Sequence, residues 1–184
     1  LFTSVVSRAC GSVYRDAGMI QAARFPYILL TLADLADQLL EFLMTLALMF
    51  VLLPLLGGQY SWTIVIYPLV LGLQVLFMAG LAAGFSALQG VFADVGKVQA
   101  LALRLMFWFT PVIYSVTMVP PRFQAAFTYL NPLTLFLESY RELLCYERLP
   151  AASHWLAMLV WSGLSLLLGW KLFHRLERHL PEAF

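Results

Sequence analysis

From Phe42 to Ala93 the chain carries no charged side chain, 52 residues in succession. One helix crossing the hydrocarbon layer of a bilayer needs about 20 residues. The run therefore holds two crossings and a reversal between them. The reversal is legible at Gly57-Gly58-Gln59-Tyr60-Ser61-Trp62, because glycine permits a tight turn and Tyr and Trp suit the membrane–water boundary. The first crossing is expected near 28–56 and the second near 62–89. Two further uncharged stretches, Leu105 to Pro121 and Leu149 to Trp170, place a third near 98–118 and a fourth near 153–173. Composition agrees: 62% of the 184 residues are hydrophobic and 11% are charged, against about 45–50% and about 25% in soluble domains. The expected fold class is all-α, a polytopic membrane helical bundle. Residues 1–14 read as the end of an earlier helix. A chain that opens on Leu1 rather than Met is expected to have lost its natural beginning.

Charge sorts the ends and loops into two sides. Arg8, Arg15, Arg24, Lys97, Lys171, Arg175 and Arg178 fall on one side, with Arg104 just inside a helix and able to snorkel back. The other side holds Arg122, Arg141 and Arg148, balanced by Glu138, Glu142 and Glu147. Basic residues collect on the cytoplasmic side, so residues 119–152 are expected outside. A net charge of +1 gives no basis for nucleic-acid binding through bulk charge.

The external stretch contains a polar sequence, FTYLNPLTLFLESYRELLCYERLP at 127–150, too charged to span. Pro120-Pro121 ends the preceding helix, since proline cannot continue a helix interior. Residues 122–130 can form a short helix. Asn131 is a good N-cap and Pro132 suits a first turn, so a second helix should run to about Tyr146. Its apolar positions, Leu133, Phe136, Leu137, Tyr140 and Leu144, share one face. Glu138, Arg141 and Glu142 fall on the other. The pair either dips into the outer leaflet and returns or lies along it. It is either a surface hairpin or a cover over a pathway, because charges at membrane depth persist only against protein or water.

Other sites are excluded by spacing. Gly96-Lys97 is followed by Val98, and Val91 and Phe92 supply no glycine for a phosphate-binding loop. His154, His174 and His179 are scattered, and Cys10 and Cys145 lie far apart, so neither set suggests a metal or redox centre. Asp34, Asp37 and Glu41 share a helix face. Either the true span starts near Leu39 and the two aspartates sit in cytoplasmic headgroups near Arg24, which accounts least well for Glu41, or the face lines a wet vestibule or a subunit contact. Gly80 and Gly84 allow a close helix approach.

Residues 110–150, TPVIYSVTMVPPRFQAAFTYLNPLTLFLESYRELLCYERLP, resemble the transmembrane subunits of ABC-2 type transporters that export polysaccharides and teichoic acids. ARFPYILL at 23–30, GLAAGFSALQGVFADVGKV at 80–98 and KLFHRLERHLPEAF at 171–184 resemble further parts of that family in the same order. The resemblance implies four of six spans, the third to the sixth, plus the end of the second. It implies a homodimer, a cytoplasmic ATPase partner that carries the ATP and Mg, and no cofactor on this chain. It further implies a lipid-linked glycan as substrate, moved across the bacterial cytoplasmic (inner) membrane. Residues 12–26 would be an ATPase-coupling segment with Arg15, Asp16, Arg24, Phe25 and Pro26. Residues 121–146 would be an external re-entrant gate with Asn131, Pro132, Glu138, Tyr140 and Arg141, and 174–184 a cytoplasmic tail. Phe107, Trp108 and Tyr114 would either line the pathway or face lipid. Exporters of drugs or other lipids, and membrane enzymes acting on lipid-linked sugars, are the alternatives.

Overall fold

The structure is a computed structural model that describes residues 1–15, 27–57, 61–92, 94–112, 114 and 116–176. Helix α1 is Phe2–Arg15. Val5, Val6, Ala9 and Cys10 are buried along it while Thr3, Ser4, Ser7 and Arg8 are exposed, the i, i+1, i+4, i+5 pattern of a helix with one packed side. Helix α2 is Tyr27–Leu55, about 44 Å long at 1.5 Å per residue. It ends at Gly57, whose φ of 83° lies in the left-handed region that glycine enters without a Cβ penalty. The Gly57 N–H donates to Pro54 O at 3.0 Å, closing the last turn. A 3₁₀ turn, Trp62–Ile66, leads into helix α3, Tyr67–Val91.

Helix α7, Ala152–Leu176, packs along α3 at very short range. Ser162 Oγ donates to Leu73 O at 2.8 Å and Ser165 Oγ to Phe77 O at 2.7 Å. Further along, a Cβ on Gly80 would collide with the backbone of Ser165, and one on Gly169 with Gly80 O. Residue numbers rise together on the two helices, so α3 and α7 run parallel. The contact depends on small residues, because only they let backbones approach this closely. Gly80 and Gly84 were legible as a small pair. Their counterpart on α7, Ser162, Ser165 and Gly169, was not singled out. The core beside this seam joins Val5 and Ala9 of α1 to Val70, Phe77 and Met78 of α3 and Met158 of α7.

Among the described residues three segments are long and apolar enough to cross a membrane: Ile28–Leu55, Trp62–Val91 and Ala152–Leu176. In the expected third span, 98–118, the α-helix is α4, Val95–Phe109, and a single 3₁₀ turn follows at Val116–Met118. The 15 residues of α4 reach about 22 Å at 1.5 Å per residue, short of the ~30 Å hydrocarbon layer. Pro111 explains the break. It lacks the N–H that a continuing helix needs, and it drives the residue before it out of the helical region; Thr110 accordingly sits at φ −95° and ψ 128°. The absence of charge as far as Pro121 had set the expected boundary too late. Because α3 and α7 are parallel, α4 and the irregular segment after it carry the chain back between them.

The expected reversal at 57–62 is described at Gly57, Ser61 and Trp62 only. Of the expected tail, 174–184, α7 covers residues to Leu176, and the rest lies outside the described residues.

Candidate functional site: a tethered re-entrant helix pair

Helices α5, Pro121–Leu130, and α6, Pro132–Leu144, follow the irregular segment. Each opens on a proline, whose preset φ suits the first helical turn. Phe123 N–H donates to Pro120 O at 2.8 Å. Asn131 separates the two helices in extended backbone, φ −101° and ψ 103°, and its Oδ1 accepts from Leu133 N–H at 3.0 Å. That bond satisfies one of the orphan donors at the start of α6.

Depth follows from what α6 touches. Phe136 lies 5.8 Å from the ring of Phe77, half-way along the crossing Trp62–Val91. One turn later Tyr140 donates to Gln74 Oε1 at 2.5 Å and packs 4.8 Å from Tyr67. Leu143 O then accepts from Thr63 Oγ1 at 2.7 Å. The helix therefore climbs antiparallel to α3 towards its start, and the Asn131-Pro132 bend is the deep end. Of the two expected arrangements, the pair dips and returns.

The buried face of α6 is wider than the apolar positions suggested. Pro132, Thr134, Leu135, Phe136, Ser139, Glu142 and Leu143 are buried, whereas Leu133, Leu137, Tyr140 and Leu144 are half-buried. Glu142 is not on a solvated face. Its Oε1 accepts from Arg148 Nη2 at 3.0 Å and its Oε2 lies 3.2 Å from His154 Nδ1, joining α6, the following loop and α7. Tyr129 of α5 completes this junction: its ring packs edge-on against His154, its hydroxyl donates to Ser153 Oγ at 2.9 Å, and its carbonyl accepts from Trp161 Nε1 at 2.9 Å. In the sequence His154 is one of three scattered histidines. Its sequence distance from Glu142 gave no signal, because a loop brings them together.

Glu138 and Arg141 pair at 2.7 Å, with side chains only 15% and 22% exposed. Arg141 also donates to Val112 O at 2.9 Å and Tyr114 O at 3.4 Å. Asn131 Nδ2 donates to Phe109 O at 3.3 Å and Thr110 Oγ1 at 3.2 Å. Of these acceptors, the Phe109, Val112 and Tyr114 oxygens are carbonyls that the break after α4 leaves without helical partners. Irregular backbone inside a membrane protein is sustained only when protein or water satisfies it. Asn131 and Arg141 do this for the end of α4, and Gln124 does it at Val119 O, 2.8 Å away. Phe107 and Trp108 are exposed and stand edge-to-face at 6.1 Å, while Tyr114 is half-buried. Arg15 ends α1. Asp16, Arg24, Phe25 and Pro26 lie outside the described residues.

Glu41 falls at the midpoint of α2 and is exposed, accepting from Gln38 Nε2 at 3.0 Å. Asp34 and Gln38 are buried, and Asp37 is exposed. Thr31, one turn before Asp34, donates to Ser86 Oγ at 2.9 Å, within the last two turns of α3.

A bundle of apolar helices carrying a short re-entrant pair defines a polytopic integral membrane domain. Comparison with known proteins gives it a family. The ABC-2 type transporter model matches residues 6–145, and the chain belongs to that family. It is a multi-pass protein of the bacterial cytoplasmic membrane. It is similar to the O-antigen export system permease protein RfbA of Klebsiella pneumoniae, 30% identical over 184 residues, covering 98% of this chain and 70% of that protein. A second Klebsiella pneumoniae protein of the same name is 30% identical over 189 residues, again covering 98% of this chain and 70% of the relative. The RfbA of Myxococcus xanthus is 26% identical over 170 residues, 92% of this chain and 64% of that protein.

Proposed function

We propose that this chain is the membrane-spanning subunit of an ATP-driven exporter that moves a lipid-linked polysaccharide, of the O-antigen type, from the cytoplasmic to the outer face of the membrane. The observation that carries this reading is the 30% identity to O-antigen export permeases over 98% of the chain. ATP and Mg belong to a separate cytoplasmic ATPase, and the chain binds and conducts without covalent chemistry. Two copies enclose the pathway. The segment with Arg15, Asp16, Arg24, Phe25 and Pro26 docks on the ATPase. The re-entrant pair, through Asn131, Pro132, Glu138, Tyr140 and Arg141, closes the outer side, and Phe107, Trp108 and Tyr114 offer aromatic faces to the passing sugar.

The test is complementation. A bacterium whose own O-antigen permease gene is deleted, but whose ATPase and glycan synthesis are intact, receives the gene for this protein together with its cognate ATPase. Surface O-antigen, measured with an impermeant antibody, is expected to return. Glycan that stays on the cytoplasmic face, with both subunits assembled in the membrane, refutes the substrate.

A further inference from the structure

The close α3–α7 contact leaves a trough beside it. Gly80, Gly84 and Gly169, which carry no side chain, line an apolar cavity of about 490 Å³, and Leu103 and Met106 of α4 stand on its opposite wall. On α3 its lining runs from Phe77 to Leu88, about 16 Å at 1.5 Å per residue. One end lies at Gln99 and Leu172, where α3 stops and α4 starts. The other lies at Pro132 and Trp161, by the deep bend of the re-entrant pair. Ala102, Leu164 and Leu168 line the cavity and are nonetheless exposed, so its mouth opens sideways between α4 and α7.

Size and chemistry select the occupant. Water does not settle in an apolar volume, and walls left bare forfeit dispersion contacts. An apolar cavity of about 150 Å³ takes one benzene ring, so roughly three times that volume holds roughly 18 carbons. The length is that of one leaflet, about half of the ~30 Å hydrocarbon layer. Both measures match one acyl chain of a bilayer lipid, whereas a further helix, about 10–12 Å across, is too bulky. The polar end is marked as well. Gln99 is 4% exposed, and its Nε2 is buried at the cavity without a hydrogen-bond partner. A buried amide donor is costly unless an acceptor reaches it. Lys171 and Arg175, both exposed, belong to the turn of α7 that brings Leu172 to the same end, and basic residues at a membrane surface attract anionic headgroups.

We infer that this cavity is a binding site for one acyl chain of an anionic phospholipid, which enters between α4 and α7 from the expected cytoplasmic leaflet. The ester carbonyl at the head of the chain accepts from Gln99 Nε2, and the phosphate stays at the surface near Lys171 and Arg175. The site goes beyond the transport reading, because the lipid is a resident component and not the cargo.

Photolabelling tests it in the assembled transporter with its ATPase, stripped of lipid in detergent. The probe is phosphatidylglycerol with a diazirine midway along one acyl chain, and labelled peptides are read by mass spectrometry. Saturable labelling of Leu103 and Met106 is expected, competed by unlabelled phosphatidylglycerol. Ala102→Trp, which fills the volume from its mouth, is expected to reduce it several-fold. Gln99→Leu removes the unpaired donor without filling the cavity, and is expected to raise the concentration for half-labelling several-fold. An unaltered half-labelling concentration in Gln99→Leu overturns the inference whether or not Ala102→Trp assembles. So does labelling that never saturates, which is ordinary contact with bulk lipid. Preferential labelling of the same residues by a diazirine-bearing polyprenyl phosphate also overturns it, in favour of a transported lipid. None of these readings involves the glycan, so the site stands or falls apart from the substrate.

Discussion

Single residues decide how closely the backbones approach. Gly80 touches the Ser165 backbone so tightly that an added methyl group has no room. At Gly84 the nearest atoms, Gly169 Cα and Leu172 Cδ2, stand 3.5 and 3.7 Å from an added Cβ, an ordinary contact. Glycine-to-alanine gains up to about 1 kcal/mol of helix propensity, but overpacking a tight contact costs about 1–3 kcal/mol. Gly80→Ala is therefore expected to lower the Tm of the detergent-purified protein and Gly84→Ala to leave it unchanged or raise it; the opposite order would remove Gly80 from the seam. Asn131 separates two roles in a similar way. Asn131→Ala loses the cap, about 1 kcal/mol, and both bonds to the end of α4. Asn131→Asp keeps the acceptor for Leu133 N–H but sets a carboxylate against Phe109 O. Equal loss of export in both variants, at matched membrane levels, is the expected result. Normal export by Asn131→Asp would reduce the residue to a helix cap.

Between elements, the junction at Glu142 is the comparable device. Its carboxylate gathers Arg148 from the loop and His154 from α7, while Arg148 N–H returns to Glu142 O at 2.9 Å. A hydrogen bond to a charged group is worth about 1.5–3 kcal/mol, and Glu142→Ala leaves both partners without it. The variant is expected to unfold at lower temperature and to label faster at Cys145, which directly follows α6 and is exposed. Unchanged labelling would mean that the loop is held by its backbone contacts alone. The neighbouring Glu147 takes φ 51°, a region that costs an L-residue about 1–2 kcal/mol. Glu147→Gly is thus expected to be neutral or stabilising, and it serves as a control for charge removal in the same loop.

For the whole molecule the open quantity is orientation. The parallel run of α3 and α7 means that both start from one side, where α6 also ends. From the excess of Lys and Arg at the opposite side the α6 end is expected to be external. An impermeant thiol reagent added to intact cells is expected to modify Cys145 and to spare Cys10, which is 3% exposed within the bundle. Modification of Cys145 only after lysis would invert the topology. Within the bundle, the α3–α7 contact is a glycine-and-serine seam with carbonyl-directed hydroxyls.

What the sequence determined by itself was whatever depends on neighbours in the chain. Uncharged length set three of the four expected crossings, Asn131-Pro132 set the bend between the short helices, and the distribution of Arg and Lys set the expected sides. Thr110-Pro111 carried the stop of α4 as well, but the apolar residues beyond it read as more helix. A hydrophobic run reports burial or lipid, not whether the backbone remains helical. Tertiary structure alone decided which carbonyls the break exposed and that Asn131 and Arg141 reach them from 22 and 29 residues away. It also turned the charged side of α6 inward, with His154 meeting Glu142 and Arg141 meeting the chain after α4. Periodicity gives one face to apolar residues and leaves the other to water by default. It has no way to register that, inside a membrane, a second polar surface of the same chain takes the place of water.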